Sequence, residues 1–428
     1  MTLGFLVLRK SFLKVMGALI QAALDRNHDV VLVWDHREAK PGEEVARTDL
    51  APWPAARVVP WSRGTPLAPV LRAAGVHALV GPSLYSVIHA FRLDAEVEAI
   101  RAGGVRLYSV DYGLDTITSD PAGYRVVDVT FYTSEWQRQL HWRVKAEGFA
   151  RIGDDRALAA RSAVVGSTML DQLATVDRAA VRKRYGLDDR PVVLFMTLKM
   201  QVPDPWRRLV WGDSPRVWRA ARALATRHAG LVPEILRARG YRDLVEAVRR
   251  MCARSSAALI VKSRRKNGDP AFLARVADAF LFDEETYPYT SMGLMAVADL
   301  CVHFQSAGVL EAAFAGVPSL SVRVPQEHLR SYPTYAEFYS ARPESLQNFP
   351  GVVWSMTPPE AIARLDGAAL ADFAVDGDSR RAYVAQFVGF DDTRSSARAL
   401  DVIEHGSDIG HGGPEMAPKP PDARRAPE

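Results

Sequence analysis

Two clusters in the second half of the chain have the residue types and spacing to hold a phosphorylated ligand. The first is Lys262-Ser263-Arg264-Arg265-Lys266, four cations in five residues directly after the apolar run 257–261. In a parallel sheet the C-terminal strand ends line the ligand crevice, so cations at that point are placed for phosphate. The second is Ser306-Ala307-Gly308, which follows the apolar run 300–303 and opens a helix-like stretch closed by Gly316-Val317-Pro318. The first amides of a helix lack internal acceptors, and small residues let an anion approach them closely. Glu311 lies one turn further in, where a carboxylate on an exposed face would accept hydrogen bonds from ribose or sugar hydroxyls. The same residues also suit a plain βαβ unit in which Ser306 caps its helix and Glu311 is solvated.

Transfer to a hydroxyl acceptor requires a base to take the proton. Ser109-Val110-Asp111-Tyr112-Gly113-Leu114-Asp115 ends the apolar run 105–110 and offers Asp111, with Asp115 as the second candidate. Asp111 equally suits a turn cap. Arg9-Lys10-Ser11, Gly81-Pro82-Ser83 and Thr133-Ser134-Glu135 also follow apolar runs and fall on the same side of a parallel sheet. The Arg9 segment lacks the Gly-x-Gly-x-x-Gly pattern of dinucleotide binding, and the chain has no Gly-x-Ser-x-Gly elbow. No paired Cys/His ligand spacing exists, and no Asp-x-Asp signature stands at a strand end, so neither a metal nor a cofactor is expected to be required.

The elements that must position these residues can be read from periodicity. Apolar runs at 3–8 and 29–34 flank residues 11–27, which have helical spacing at Phe12, Val15, Leu19, Ala22 and Ala23. Strands are expected again at 56–59, 76–80, 105–110, 127–132 and 162–165, with helices around 66–74, 84–101 and 134–144. Continuous apolar runs, as opposed to alternating ones, mark strands buried on both faces of a parallel sheet. The pattern restarts at 191–196 and continues with strands at 257–261, 280–282, 300–303 and 319–324 and helices at 270–279, 288–297 and from 306. The expected class is α/β with two Rossmann-like doubly wound domains, over 1–175 and 176–385. The second carries a basic helical insertion at about 202–255, and residues 406–428 have too little to bury to be more than a disordered tail.

Composition bounds the function. With 428 residues, 48% hydrophobic and 24% charged, the chain reads as a soluble globular protein of two domains. Two cysteines, Cys252 and Cys301, cannot make a disulfide framework and point to a reducing cytoplasm. The N-terminal apolar run is too short to span a membrane and lacks the marks of a signal peptide. Residues 200–255 hold twelve Arg against five Asp or Glu, a local excess of seven beside a whole-chain charge of +4. Tryptophans at 206, 211 and 218 interleave with this charge, so 206–222 suits peripheral contact with an anionic surface at the inner face of a membrane. No nucleic-acid-binding motif is present, and no nucleic-acid partner is expected.

The strand, small-residue turn, helical Glu311 and Gly316-x-Pro318 resemble the C-terminal domain of GT-B glycosyltransferases and their relatives, the nucleotide-sugar 2-epimerases and CDP-glycerol glycerophosphotransferases. The resemblance is strongest over about 255–325. It implies two domains facing a cleft, with a nucleotide diphosphate held by Ser306, Ala307, Gly308 and Glu311 and by Lys262, Arg264 and Arg265. It also implies that the segment 386–405 forms a helix crossing back onto the first domain and that Gly166-Ser167-Thr168 is an interdomain support. The chain departs from these families in three places. Tyr112 stands where the glycerophosphotransferases have a His, the 262–266 segment has no His-Pro or Arg-Pro, and the His-Gly-Asp segment of the epimerases is missing. The expected function is a metal-independent glycosyltransferase moving a sugar from a nucleotide-diphosphate donor to a glycan or lipid-linked acceptor of the cell envelope or surface polysaccharide. The alternatives are a CDP-polyol glycerophosphotransferase-like enzyme and a non-catalytic nucleotide- or glycan-binding protein of the same fold.

Overall fold

The computed structural model describes residues 1–428 except 37–43, 63, 85–93, 111–126, 153–160, 198–222, 224–226, 228–231, 264–268, 271, 283–284, 325–334 and 406–428. Among the expected functional residues, Asp111, Asp115, Arg264 and Arg265 lie outside the described residues, as does the Trp/Arg segment 206–222.

Two parallel sheets organise the chain. The first contains β1 (Thr2–Val7), β2 (Asp29–Asp35), β3 (Arg57–Trp61), β4 (Ala78–Pro82), β5 (Arg106–Val110), β6 (Val129–Tyr132) and β7 (Ser162–Val164), in the order β3-β2-β1-β4-β5-β6-β7. The second contains β8 (Val192–Met196), β9 (Ala258–Lys262), β10 (Ala279–Leu281), β11 (Leu300–His303), β12 (Ser319–Val322) and β13 (Val353–Met356), in the order β10-β9-β8-β11-β12-β13. All ladders within both sheets are parallel. Each order runs outward from its first strand and then reverses beside it. The switch points are therefore β1/β4 and β8/β11, where ligands of doubly wound sheets bind outside the carboxyl ends. The expected α/β class with two Rossmann-like domains is the observed one. β13 was not expected: it is an edge strand with three of its four residues only half-buried, so it carries a weaker apolar signal than the central strands.

The apolar runs bury themselves as expected of two-sided strands. Phe5, Val31, Val33, Val80 and Leu107 of the first sheet are wholly buried in one core. That core also takes Ala399, Leu400 and Ile403 from α5 (Ser395–His405), at the far end of the sequence. In the second sheet Phe195, Val261, Val302 and Leu320 pack under α2 (Val232–Arg254), while Leu194, Ile260 and Cys301 face the other side with Ala312 and Met295.

Polar contacts fasten α5 to the first sheet. Arg26 and His28 reach Glu404 at 3.0 and 2.7 Å, and Arg106 Nη2 donates to the Ile403 carbonyl at 2.8 Å. The start of α5 is capped from a distance: the buried Asp171 carboxylate accepts the Ser395 and Ser396 amides at 3.2 and 2.5 Å. Burial pushes the Asp171 carboxyl above the usual carboxylate range, although the hydrogen bonds from Ser396 and Ser395 pull it down. Gly166 passes so close that a Cβ there would lie 2.4 Å from Ser395 Oγ, and its φ of 92° already excludes most side chains.

Candidate functional site

The helix that follows β1 and the helix that follows β11 meet. Lys14, on α1 (Lys10–Asp25), places its ammonium on the Oε1 of Glu311, in the first turn of α4 (Gly308–Ala315). Ser291 Oγ, from α3 (Thr290–Val297), donates to the other carboxylate oxygen at 2.9 Å. The Tyr289 ring lies under the ammonium, 5.2 Å from its centroid. Both charges are buried, Lys14 to 9% and Glu311 to 1% exposure. Because each helix begins at the C-terminal edge of its own sheet, this contact brings the two ligand-binding edges together.

Neighbouring contacts hold the same arrangement. Gln172, wholly buried between the sheets, donates to the Lys14 carbonyl at 2.5 Å and accepts the Tyr289 amide at 2.8 Å. Thr168 Oγ1 donates to the Val15 carbonyl at 2.9 Å, and Thr286 Oγ1 to the Asp49 carbonyl at 2.8 Å. Gly17 is needed in α1 because a Cβ there would stand 2.9 Å from the Tyr287 ring. Lys10, expected at the strand end, pairs with Asp49 at 2.9 Å.

Glu311 is therefore not on an exposed helix face, as expected from the sequence. α1 and α3 cover that face, and the carboxylate is spent on Lys14 and Ser291. The Ser306 turn also differs from expectation in its supply of amides. Ser306 Oγ takes the Gly308 N–H at 3.1 Å, and the Val309 and Leu310 amides reach the Ser306 and Ala307 carbonyls at 3.2 and 3.1 Å. Ser306, one residue before the N-cap Ala307, thus serves the start of the helix as in a plain βαβ unit. The close neighbour of Gly308 is a protein side chain, since a Cβ there would lie 3.0 Å from Met196 Sδ. Ala307 is exposed, and its amide has no acceptor among the described residues. α4 closes on Gly316 at φ 75°, with the Val317 amide on the Ala312 carbonyl at 2.8 Å.

On the other side of the β8/β11 switch point, Lys262 ends β9 buried, its ammonium donating to the Ser263 carbonyl at 2.7 Å. Asp269 joins this strand end. Its Oδ2 accepts hydrogen bonds from Ser263 Oγ and, at 3.1 Å, from Thr197 Oγ1, while its Oδ1 is buried without a partner among the described residues. Burial pushes the Asp269 carboxyl above the usual range, against the pull of both hydroxyls.

Lys14 and Asp269 were not among the sequence candidates. Lys14 is 297 residues from its partner, a separation no local pattern reports. Asp269 had one available signal, its place in the turn-favouring sequence Asn-Gly-Asp-Pro just after the cation cluster. Among the described residues no group of three or more His, Cys, Asp or Glu is arranged to hold a metal, and no helix is long and apolar enough to cross a membrane.

Two Rossmann-like sheets with apposed carboxyl edges and a final helix returned to the first define a GT-B-like architecture. Solved structures of that architecture match nearly the whole chain. A UDP-N-acetylglucosamine 2-epimerase superposes with a TM-score of 0.56 at 12% identity, covering 98% of this chain and 99% of the other. The Neisseria meningitidis UDP-GlcNAc 2-epimerase bound to UDP-GlcNAc gives 0.53 at 12% identity over 94% and 99%. The wall teichoic acid polymerase TagF, in a variant soaked with CDPG, gives 0.50 at 11% identity over 94% and 87%. At such identities the likeness is one of fold. No protein-family model and no curated protein matches the sequence.

Proposed function

We propose that the protein is an enzyme acting on a nucleotide-diphosphate-linked sugar, which it moves to a glycan or lipid-linked acceptor of the cell envelope or surface polysaccharide. The observation that carries this reading is the meeting of Lys14 and the first turn of α4 at the apposed edges of the two sheets. A cation from one half and a helix N-terminus from the other then converge where a bridging diphosphate would lie. An ammonium has three donors, of which Glu311 takes one. Breaking the sugar–phosphate bond puts negative charge on the leaving diphosphate. Fixed cations and the Ala307 amide stabilise that charge with little reorganisation, so no metal is required. On the donor side, Lys262 at the end of β9 and Arg264 and Arg265, which follow it in the sequence, are the further cations assigned to the diphosphate. The acceptor enters from the first sheet, where Asp111 or Asp115, just beyond β5, takes its proton. The enzyme works in the cytoplasm, at the inner face of the membrane when residues 206–222 engage anionic lipid.

Fold likeness to TagF supports a second reading, transfer of a polyol phosphate from a CDP-linked donor. Products separate the readings. Sugar transfer releases a nucleoside diphosphate, polyol-phosphate transfer releases CMP, and 2-epimerisation releases neither while inverting the sugar at C2. The test is to incubate the protein with UDP- and CDP-linked sugars and with CDP-glycerol, with and without a lipid-linked acceptor, and to resolve the products by chromatography and mass spectrometry. Release of nucleoside diphosphate is expected. Failure of every donor to react or to raise the melting temperature at millimolar concentration would refute the proposal.

A further inference from the structure

The Ser306 turn is fastened far more tightly than a helix cap requires. Its amide donates to His303 Nδ1 at 3.2 Å, and its carbonyl accepts from Gln347 Nε2 at 3.3 Å. Gln347 is wholly buried and cannot turn its amide over freely, because its Oε1 takes the Ser321 hydroxyl at 2.8 Å. Ser321 stands beside His303 in the parallel register of β11 and β12, so the two clamps rise from adjacent strands. The preceding residue, Gln305, is held in the left-handed region at φ 45°, a conformation that non-glycine residues keep only when their surroundings enforce it. Its own side chain supplies that enforcement, accepting the Val324 amide and donating to the Tyr339 carbonyl, both at 3.3 Å.

His303 has a cost that packing alone would not retain. With Nδ1 accepting the Ser306 amide, the ring proton sits on Nε2, and that N–H is wholly buried without a partner among the described residues. A leucine would fill the same place with no polar group to strand. What leucine lacks is the acceptor that fixes the Ser306 peptide. Burial also keeps the imidazole neutral, pushing it down to about 3, so the acceptor persists across ordinary pH.

We propose that His303 and Gln347 are positioning residues that grip the Ser306 peptide from both sides and so present the Ala307 N–H to a bound diphosphate. This rests on the nucleotide-diphosphate reading above. The grip makes the turn a preorganised donor instead of one that must be ordered by its ligand, which favours affinity and leaving-group stabilisation together.

The experiment compares wild type with His303→Leu, His303→Asn and Gln347→Leu by isothermal titration with UDP and CDP, and with uridine and cytidine as phosphate-free controls. Asn is the rescue, since its side-chain oxygen can stand near the Nδ1 position. Wild type is expected to bind a nucleoside diphosphate. His303→Leu and Gln347→Leu should weaken that binding about tenfold or more, leave nucleoside binding unchanged, and keep a cooperative melt. His303→Asn should recover to within about threefold of wild type. Equal diphosphate affinity in wild type and His303→Leu, or equal losses for nucleoside and diphosphate, would overturn the positioning role while leaving the nucleotide reading intact. If wild type binds no nucleoside diphosphate, the nucleotide reading fails first and the role falls with it. Nitrogen-15 spectra of histidine-labelled wild type give an independent reading that needs no variant to fold. A neutral Nε2–H tautomer is expected at neutral pH, and an Nδ1–H or cationic ring would refute the grip.

Discussion

Replacing Lys14 by Met tests whether the two halves of the protein are joined by a buried ion pair. Methionine keeps the length and apolar stem of the side chain and removes the ammonium. Glu311, 1% exposed, is then left with the Ser291 hydroxyl at 2.9 Å as its remaining hydrogen-bond donor among the contacts described. Stranding one charge of a buried pair costs about 3–5 kcal/mol, and the surviving Ser291 bond argues for the lower end, about 3 kcal/mol. For domains of this size that corresponds to a fall in melting temperature of about 6–12 °C. The partner experiment removes both charges. Lys14→Met with Glu311→Leu leaves an apolar contact of similar volume and should lie within about 1 kcal/mol of wild type, because desolvating the pair offsets most of its Coulomb energy. Differential scanning calorimetry of wild type, the two single variants and the double variant at neutral pH gives the coupling directly. A Lys14→Met melt indistinguishable from wild type, or a double variant as unstable as the single one, would show that the Glu311 carboxylate has access to water.

Two further outcomes follow from particular residues. The His303 ring titrates near 6.5 when unfolded and about 3 when folded, so the unfolded chain binds the extra proton between those values and stability falls as pH drops below about 6.5. Each pH unit in that window costs up to about 1.4 kcal/mol from this ring. Urea melts from neutral pH to about 4.5 should therefore be flatter for His303→Asn than for wild type, and parallel curves would count against a neutral buried imidazole. At Gly166 an alanine would have to hold φ 92° and place its Cβ 2.4 Å from Ser395 Oγ. Gly166→Ala should lower stability by more than about 1 kcal/mol, read by thermal melt, and a neutral effect would mean that the linker and α5 are not so closely apposed.

The sheets were legible because nearly every central strand is a continuous apolar run. Such runs as Val30-Val31-Leu32-Val33 and Leu259-Ile260-Val261 have few other fates in a chain of this size. β13 escaped because half of an edge strand's surface is wet and its sequence need not be apolar throughout. The β11–turn–α4 unit was also legible, since small residues and a Gly-x-Pro stop are local signals. The state of Glu311 was not. Whether a helical carboxylate faces water or another helix depends on what packs over it, and here the covering cation arrives from residue 14. His303 and Gln347 were hidden for a related reason. One reads as the end of a strand and the other as part of a loop, and only the β11–β12 register brings them to the same peptide.

The order of synthesis gives the returned helix a consequence of its own. A ribosome delivers all seven strands of the first sheet well over two hundred residues before it delivers Ala399, Leu400 and Ile403, which complete that sheet's core. Until then a sticky groove beside α1 stays open on the nascent chain, along with the unanswered guanidinium of Arg26 and ring nitrogen of His28. The first half thus matures only when α5 is made, so translation itself sets the moment at which that core closes, and truncation anywhere before residue 395 would leave a product suited to chaperones and proteases.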